Sequence, residues 1–502
     1  MQNKIPLAFS AFRELLGTDH VEENPAAIHL AMQATFPTHD SVEGIIHPVN
    51  QEQVSSCLKI AQQYHIPLYP ISRGKNWGYG SRVPITSGCI LLSLAKLNRI
   101  LQFDETLGYV RIEPGVSFEE LNDFLKAHGG QYRVENPGSS AETSVIGNIL
   151  ERGLTADGER THQVCAMKLL LPNGEWLETG FDNFPSAQSA SLHPWGVGPS
   201  AEGLFFQSNL GIVMELTLWL QPIPAYTRQL LFSISSEESL IDTLDHIRQL
   251  KLNNQFRGNC ALHTIPKVLS LASQYPYSET RNRTPLPEVL LSAATKSLGG
   301  IWLGEIAIHE QDSRILQIQE EIIWNALSTV TRQPQRETQP ASAEDHSTGM
   351  LHAYWRKTEA MPLNPDPDRD RCGLLWHCPV LPLIGKTIAI VVLSAQKILL
   401  HHGFEPMISI QIMASRYAYL IISIVYDRDK PGEDDLALKC YEKLVEDTNQ
   451  QGYYPYRLGI QSMEDFALMR KDRGFWQELK HLWDPNDILA PGRYILPKDK
   501  RI

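Results

Sequence analysis

A short apolar run at residues 66–71 passes directly into Arg73-Gly74-Lys75-Asn76-Trp77-Gly78-Tyr79-Gly80, which places three glycines within seven residues. Glycine tolerates positive φ and lets backbone N–H groups approach an anion closely, so a strand ending in such a loop is a candidate diphosphate cradle. The spacing is neither G-x-G-x-x-G nor a Walker loop, and by itself it leaves an ordinary tight loop as the alternative.

The surroundings are those of a mixed α/β layer. Residues 44–72 read as strand, helix, strand: Asn50 and Gln53 resemble a capping box, and Val54, Cys57, Leu58 and Ala61 share one helix face. A second unit repeats the pattern, with a strand at 109–113 and a helix capped by Ser117 and Glu120 that carries Phe118, Leu121 and Leu125 and stops at Gly129-Gly130. A hairpin follows, with strands at 167–171 and 176–177 around Pro172-Asn173-Gly174, and then a long strand at 211–220. Mixed short strands with crossing helices predict an α+β domain ending near 222–224. Beyond it, strands at 230–234, 302–308, 407–412 and 419–426 alternate with helices near 237–251, 312–327, 384–402 and 434–450, which predicts a helix-covered sheet. The polar, proline-containing segment 332–345 reads as a mobile loop.

At 502 residues, 42% hydrophobic and 20% charged, the chain is long enough for more than one core. A net charge of −12 with no basic, aromatic-interleaved run argues against nucleic acid as a partner. Seven scattered cysteines lack both disulfide-framework and zinc spacing, so no metal site is expected. The first 17 residues do not read as a signal peptide, and the apolar stretch 384–400 carries Lys386, Gln396 and Lys397, which suits a packed helix better than a membrane span. The expectation is a soluble, cytoplasmic protein. Asp366, Asp368 and Asp370 mimic the start of a calcium loop, but Arg371 stands where glycine is required and His377 where glutamate is.

Two further blocks give the glycine loop its weight: residues 138–148 (Gly-Ser-Ser-Ala-Glu-Thr-Ser-Val-Ile-Gly-Asn) with Glu151-Arg152-Gly153, and Gln207-Ser208-Asn209-Leu210-Gly211-Ile212-Val213. With the carboxyl-terminal Asp484-Pro485-Asn486-Asp487-Ile488-Leu489-Ala490-Pro491-Gly492-Arg493, this set resembles the vanillyl-alcohol oxidase and para-cresol methylhydroxylase family of flavoproteins. The resemblance covers most of 40–222 and about 370–497. It implies an N-terminal helical segment (1–36), a two-lobed FAD-binding domain of the para-cresol methylhydroxylase type (37–224), an α+β cap with a helix-covered antiparallel sheet (225–450), and a tail (451–502) returning to the FAD domain. It further implies that Arg73, Gly74, Lys75, Asn76, Gly78, Ser140, Ser144, Gly147, Asn148, Gly153 and Ile212 lie near the flavin, with Arg493 beside its pyrimidine side. Tyr79, Tyr456 and Arg457 match the residues that hold a phenolate in the family. Two hydroxyl donors and a permanent guanidinium favour the ionised oxygen, and an ionised phenol more readily gives up hydride from its para substituent.

The resemblance thus implies an FAD-dependent oxidoreductase acting on a para-substituted phenol, with oxygen or a redox protein as electron acceptor; a homodimer is common in the family. Two departures stand out. Leu374 occupies the histidine position that attaches FAD covalently in the oxidase type, so non-covalent FAD is expected, with Tyr354 and His377 as outside candidates for attachment. Strand 407–412 carries no carboxylate where the hydroxylase type has a glutamate, and Tyr419-Leu420 replace its paired histidines. Glu142, with Glu135 behind it, is then the candidate base. The remaining alternatives are a 2-hydroxy-acid or sugar-alcohol flavin oxidoreductase, and a flavin-binding scaffold that has lost turnover.

Overall fold

The computed structural model describes residues 4–156, 158–337 and 349–498. They form two compact units, one made of Met1–Gly153, Glu159–Pro222 and Arg457–Ile502, the other of Leu154–Gly158 and Ile223–Tyr456.

The first unit holds two larger sheets and a two-stranded pairing of Tyr132–Arg133 with Gln221–Pro222. In one, the strands Val42–Ile46, Cys89–Ser93 and Leu68–Ile71 run parallel, with Val21–Glu22 antiparallel at the edge. The helix Gln51–Tyr64 supplies the crossover and buries Val54, Cys57, Leu58 and Ala61, the face read from the sequence. Full burial of each aliphatic side chain there contributes roughly 1.5–3 kcal/mol. Its cap is half of the expected box: Asn50 Oδ1 accepts from Gln53 N at 2.8 Å, but the Gln53 side chain turns to Val49 N instead of Asn50 N. At the helix Phe118–Ala127 both halves form, Ser117 with Glu120 N and Glu120 with Ser117 N.

The second sheet is antiparallel, in the order Trp176–Glu178, Val164–Leu170, Ile212–Trp219, Tyr109–Ile112, Ile100–Asp104. Its apolar face packs on Phe118, Leu121 and Leu125 and on Val145, Ile146 and Ile149. The carboxyl-terminal tail is built into the first sheet's edge. Leu68 N donates to Ile488 O at 2.7 Å, and Ala490 N donates to Leu68 O at 2.8 Å. Buried Lys480 fastens this return, reaching Asn209 O, Asp484 Oδ2 and Leu489 O at 2.9, 2.7 and 2.7 Å.

The second unit is one antiparallel sheet in the order Arg332–Glu337, Tyr226–Ile234, Trp302–Glu310, Cys260–Thr264, Met407–Ile412, Tyr417–Asp427, Cys372–His377. Helices Glu237–Leu252, Ser313–Leu327, Gly385–His401 and Glu433–Gln450 accompany it. This is the α+β architecture expected, with one correction. Arg332–Glu337 is not loop but an edge strand paired with Tyr226–Ile234; an edge tolerates a proline and charges because half of its backbone groups need no partner strand. The rest of the expected loop, 338–345, lies outside the described residues. Asp366 Oδ1 accepts from Asp368 N and Arg369 N, so the false calcium loop is a self-bonded polar turn. All seven cysteines are buried free thiols. Among the described residues no helix is long and apolar enough to cross a membrane.

Candidate active site

The glycine loop follows Leu68–Ile71 directly. Gly74, Gly78 and Gly80 take φ of 69°, 79° and 110°. A Cβ on Gly74 would stand 2.4 Å from the Arg82 side chain, and one on Gly80 would stand 2.6 Å from Ile460, so the path of this loop needs glycine at both places. Gly78 N is held by Thr35 Oγ1 at 2.9 Å. Arg73 anchors the loop's start, giving Nε to Gly115 O at 2.7 Å and Nη2 to Glu120 at 2.5 Å.

The second block forms a turn leading into a short helix. Ser140 Oγ accepts from Glu142 N, and Ser144 caps Val145–Leu150 by accepting from Gly147 N at 2.9 Å while donating to Pro114 O at 2.7 Å. Asn148 follows, its Oδ1 buried without a hydrogen-bond donor among the described residues. Gly153 closes on it so tightly that a Cβ would fall 1.8 Å from that oxygen. Ile212 opens its strand opposite Leu170. Lys75 pairs with Glu142 and lies 5.5 Å from the Trp77 ring centre. Glu142, its side chain 57% exposed, is thus a solvated partner of a cation.

The carboxylate that organises the site is Glu151. Buried, it pairs with Arg493, accepts from the Tyr494 hydroxyl at 2.7 Å and lies 3.6 Å from Arg457 Nε. Burial pushes its acid up, but Arg493, then Arg457 and the hydrogen bonds, outweigh burial and hold it below the ordinary range. Burial likewise disfavours the Arg493 cation, and Glu151 reverses this, so both stay charged. Arg493 also gives Nη1 to the Tyr69 hydroxyl at 2.5 Å, and burial raises that phenol.

The expected residues fall into three groups. Arg493, Arg457, Asn76 and Tyr79 share one network: Arg457 Nη2 donates to Asn76 Oδ1 at 2.5 Å, and its guanidinium lies 4.4 Å from the Tyr79 ring centre. Lys75 and Glu142 make a separate pair. Tyr456 closes the second unit, its ring 4.8 Å from that of Tyr419 and its N–H donating to Cys378 O at 3.2 Å. Glu151, Tyr69 and Tyr494 belong to the network but were not singled out from sequence. The available signal was Glu151 itself, at the end of the second small-residue block.

Positive-φ glycines, an orphaned buried amide oxygen and a buried arginine fit a flavin nucleotide: the loop backbone would hold its diphosphate, Asn148 would accept from a polar edge, and Arg493 would face negative charge on the reduced ring, while Ser144, its proton given to Pro114 O, would shape the turn. A family model described as an FAD binding domain matches residues 42–180. Fold and site together define an FAD-dependent oxidoreductase.

The chain is 41% identical to a 1'-carboxy-chondrochloren decarboxylase of Chondromyces crocatus, over 97% of this chain and 96% of that one. It is 26% identical to the flavoprotein subunit of the hydroxylating 4-cresol dehydrogenase of Pseudomonas putida, over 98% and 96%. The crystal structure of p-cresol methylhydroxylase with substrate bound superposes with a TM-score of 0.91 over 100% of this chain and 99% of that one, at 24% identity. The chain belongs to the para-cresol methylhydroxylase type family of flavoproteins.

Proposed function

We propose that the protein oxidises a para-substituted phenol, held as phenolate by Tyr79, Tyr456 and Arg457. The observation that carries this reading is the Arg457–Tyr79 stack, with Arg457 Nη2 fixed on Asn76. A permanent cation held over a tyrosine ring stabilises a second phenolic oxygen as its anion, and its own orientation needs no reorganisation when charge shifts. FAD, when bound, supplies the two-electron acceptor that takes hydride from the benzylic carbon. Glu151 keeps Arg457 and Arg493 from repelling each other. FAD bound without a covalent link is part of this reading, since Leu374 has no group to form one. The test is anaerobic mixing with 4-alkylphenols: visible flavin absorbance bleaches with them and not with 2-hydroxy acids or sugar alcohols.

A second reading of the substrate is favoured by the 41% identity to a decarboxylase. The strand Met407–Ile412 (Met-Ile-Ser-Ile-Gln-Ile) offers no carboxylate to activate water or deprotonate an alcohol. A phenol with a carboxylate one carbon beyond the benzylic position needs no such base. After hydride leaves the benzylic carbon, the bond to the carboxylate carbon breaks, CO2 departs, and its electron pair forms the side-chain double bond as the ring regains aromaticity. Dianion becomes hydride, CO2 and a vinylphenolate, with no water or proton consumed. Release of CO2 and 4-vinylphenol from 3-(4-hydroxyphenyl)propanoate, in step with flavin reduction, would separate this from simple oxidation.

A further inference from the structure

Buried lysines in this protein are matched with anions or carbonyls: Lys357 with Asp427 and Asp429, Lys480 with Asp484. Lys267 is different. It is 7% exposed, yet its ammonium makes no hydrogen bond or ion pair among the described residues. What it faces is the Trp376 ring, 5.2 Å away. It also sits in the first turn of Ile265–Ala272, at the helix end where a cation is disfavoured. Burial accordingly pulls it down to about 7, opposed only by Cys378.

The patch around it holds a second unsatisfied group. Ser270 donates its hydroxyl proton to Lys267 O at 2.7 Å and meets His352 Nδ1 at 2.7 Å. His352 Nδ1–H is thus the donor to Ser270, and Nε2, buried, is left without a partner. The His352 ring lies 5.6 Å from Trp376, on the same aromatic face-off as Lys267. Burial and then Lys267 push His352 well below its ordinary range, so it brings no competing charge. Cys378, which Lys267 acts on, is the residue whose carbonyl receives the Tyr456 N–H. Through Trp376 the patch therefore adjoins the end of Cys372–His377, beyond which Cys378 O holds the backbone of Tyr456, a phenol-binding candidate.

We propose that Lys267 is the binding site for a carboxylate on the substrate. An unpaired buried ammonium is costly when empty and is satisfied by a carboxylate, whose charge restores the lysine to its protonated form. The proposal deepens the carboxylated-phenol reading and rests on it for the nature of the ligand. It makes Lys267 a specificity residue rather than a catalytic one.

The test uses the FAD-loaded protein and two ligands with no benzylic hydrogen to lose, 4-hydroxyphenoxyacetate and its uncharged counterpart 4-ethoxyphenol, titrated by calorimetry. Lys267→Met should weaken the carboxylate ligand on the order of 10- to 100-fold and 4-ethoxyphenol less than about twofold, and Lys267→Arg should keep much of the carboxylate affinity. Methionine relieves a buried unpaired cation, so its thermal midpoint should not fall. Equal losses for both ligands, no loss for either, or no binding of 4-hydroxyphenoxyacetate by the unaltered protein would overturn the proposal. A parallel anaerobic reduction with 4-propylphenol keeps the two failures apart. Flavin bleaching without Lys267-dependent carboxylate binding sinks the site alone; Lys267-dependent binding without bleaching by any phenol leaves the site standing and sinks the phenol oxidation.

Discussion

Arg457 lies with its guanidinium carbon 4.4 Å from the centre of the Tyr79 ring, although 378 positions separate the two in the chain (457 minus 79). The tail beginning at Arg457 folds back onto the first unit, where Ile460 N donates to Tyr79 O at 3.0 Å and fixes the pair's register. A residue that only packed on Tyr79 would not need a second tether; Asn76 provides one.

Arg457→Met should slow flavin reduction by a para-alkylphenol on the order of 100-fold, and Tyr79→Phe on the order of 10-fold, because each removes a charge-assisted or phenolic contact to the ionised oxygen. FAD should stay bound in both. Stopped-flow reduction with the flavin content measured beforehand checks this, and rates within twofold of the unaltered protein would count against a phenolate site here.

Glu151→Gln leaves Arg457 and Arg493 facing each other in a buried site with their shared counter-charge gone. The expected loss is about 3 kcal/mol of folding stability, in line with breaking one side of a buried ion pair. Urea denaturation of the two proteins measures it. An unchanged midpoint would mean that solvent reaches the pair.

His377 makes the acid stability of the second unit depend on pH in a defined window. Its Nε2–H donates to Thr448 Oγ1 at 2.8 Å, and burial lowers the ring from 6.5 to about 3. The unfolded chain takes up a proton as pH falls below 6.5 while the folded one does not until about 3, so stability present above 6.5 drains away through that interval. At pH 5 the loss should be about 2 kcal/mol. His377→Gln should flatten the difference between denaturation at pH 7.5 and at pH 5; an identical slope in both proteins would contradict it.

Leu374 carries no group that could bond to flavin, His377 is buried with its Nε2 on Thr448, and Tyr354 hydrogen-bonds Asp370. Acid precipitation should therefore release the flavin into the supernatant, whereas a yellow pellet would show a covalent link.

Much of this architecture can be read in the sequence because its signals are local. The Ser117–Glu120 box needs four residues, and the glycine loop and the buried face of Gln51–Tyr64 need fewer than fifteen each. Glu151 could not be read this way: nothing near it in sequence says that it meets Arg493, 342 residues on. Lys267 was hidden for the opposite reason, since a lone lysine is presumed to reach solvent. The edge strand Arg332–Glu337 was missed because its polar composition suits an edge as well as it suits a loop.

The most direct test is anaerobic titration of the FAD-loaded protein with 4-propylphenol, 3-(4-hydroxyphenyl)propanoate and D-lactate, following visible flavin absorbance. Phenolate-driven hydride loss predicts full bleaching by one or both phenols, abolished or strongly slowed in Arg457→Met, and none by D-lactate. Bleaching by D-lactate alone, or by none of the three, would contradict it.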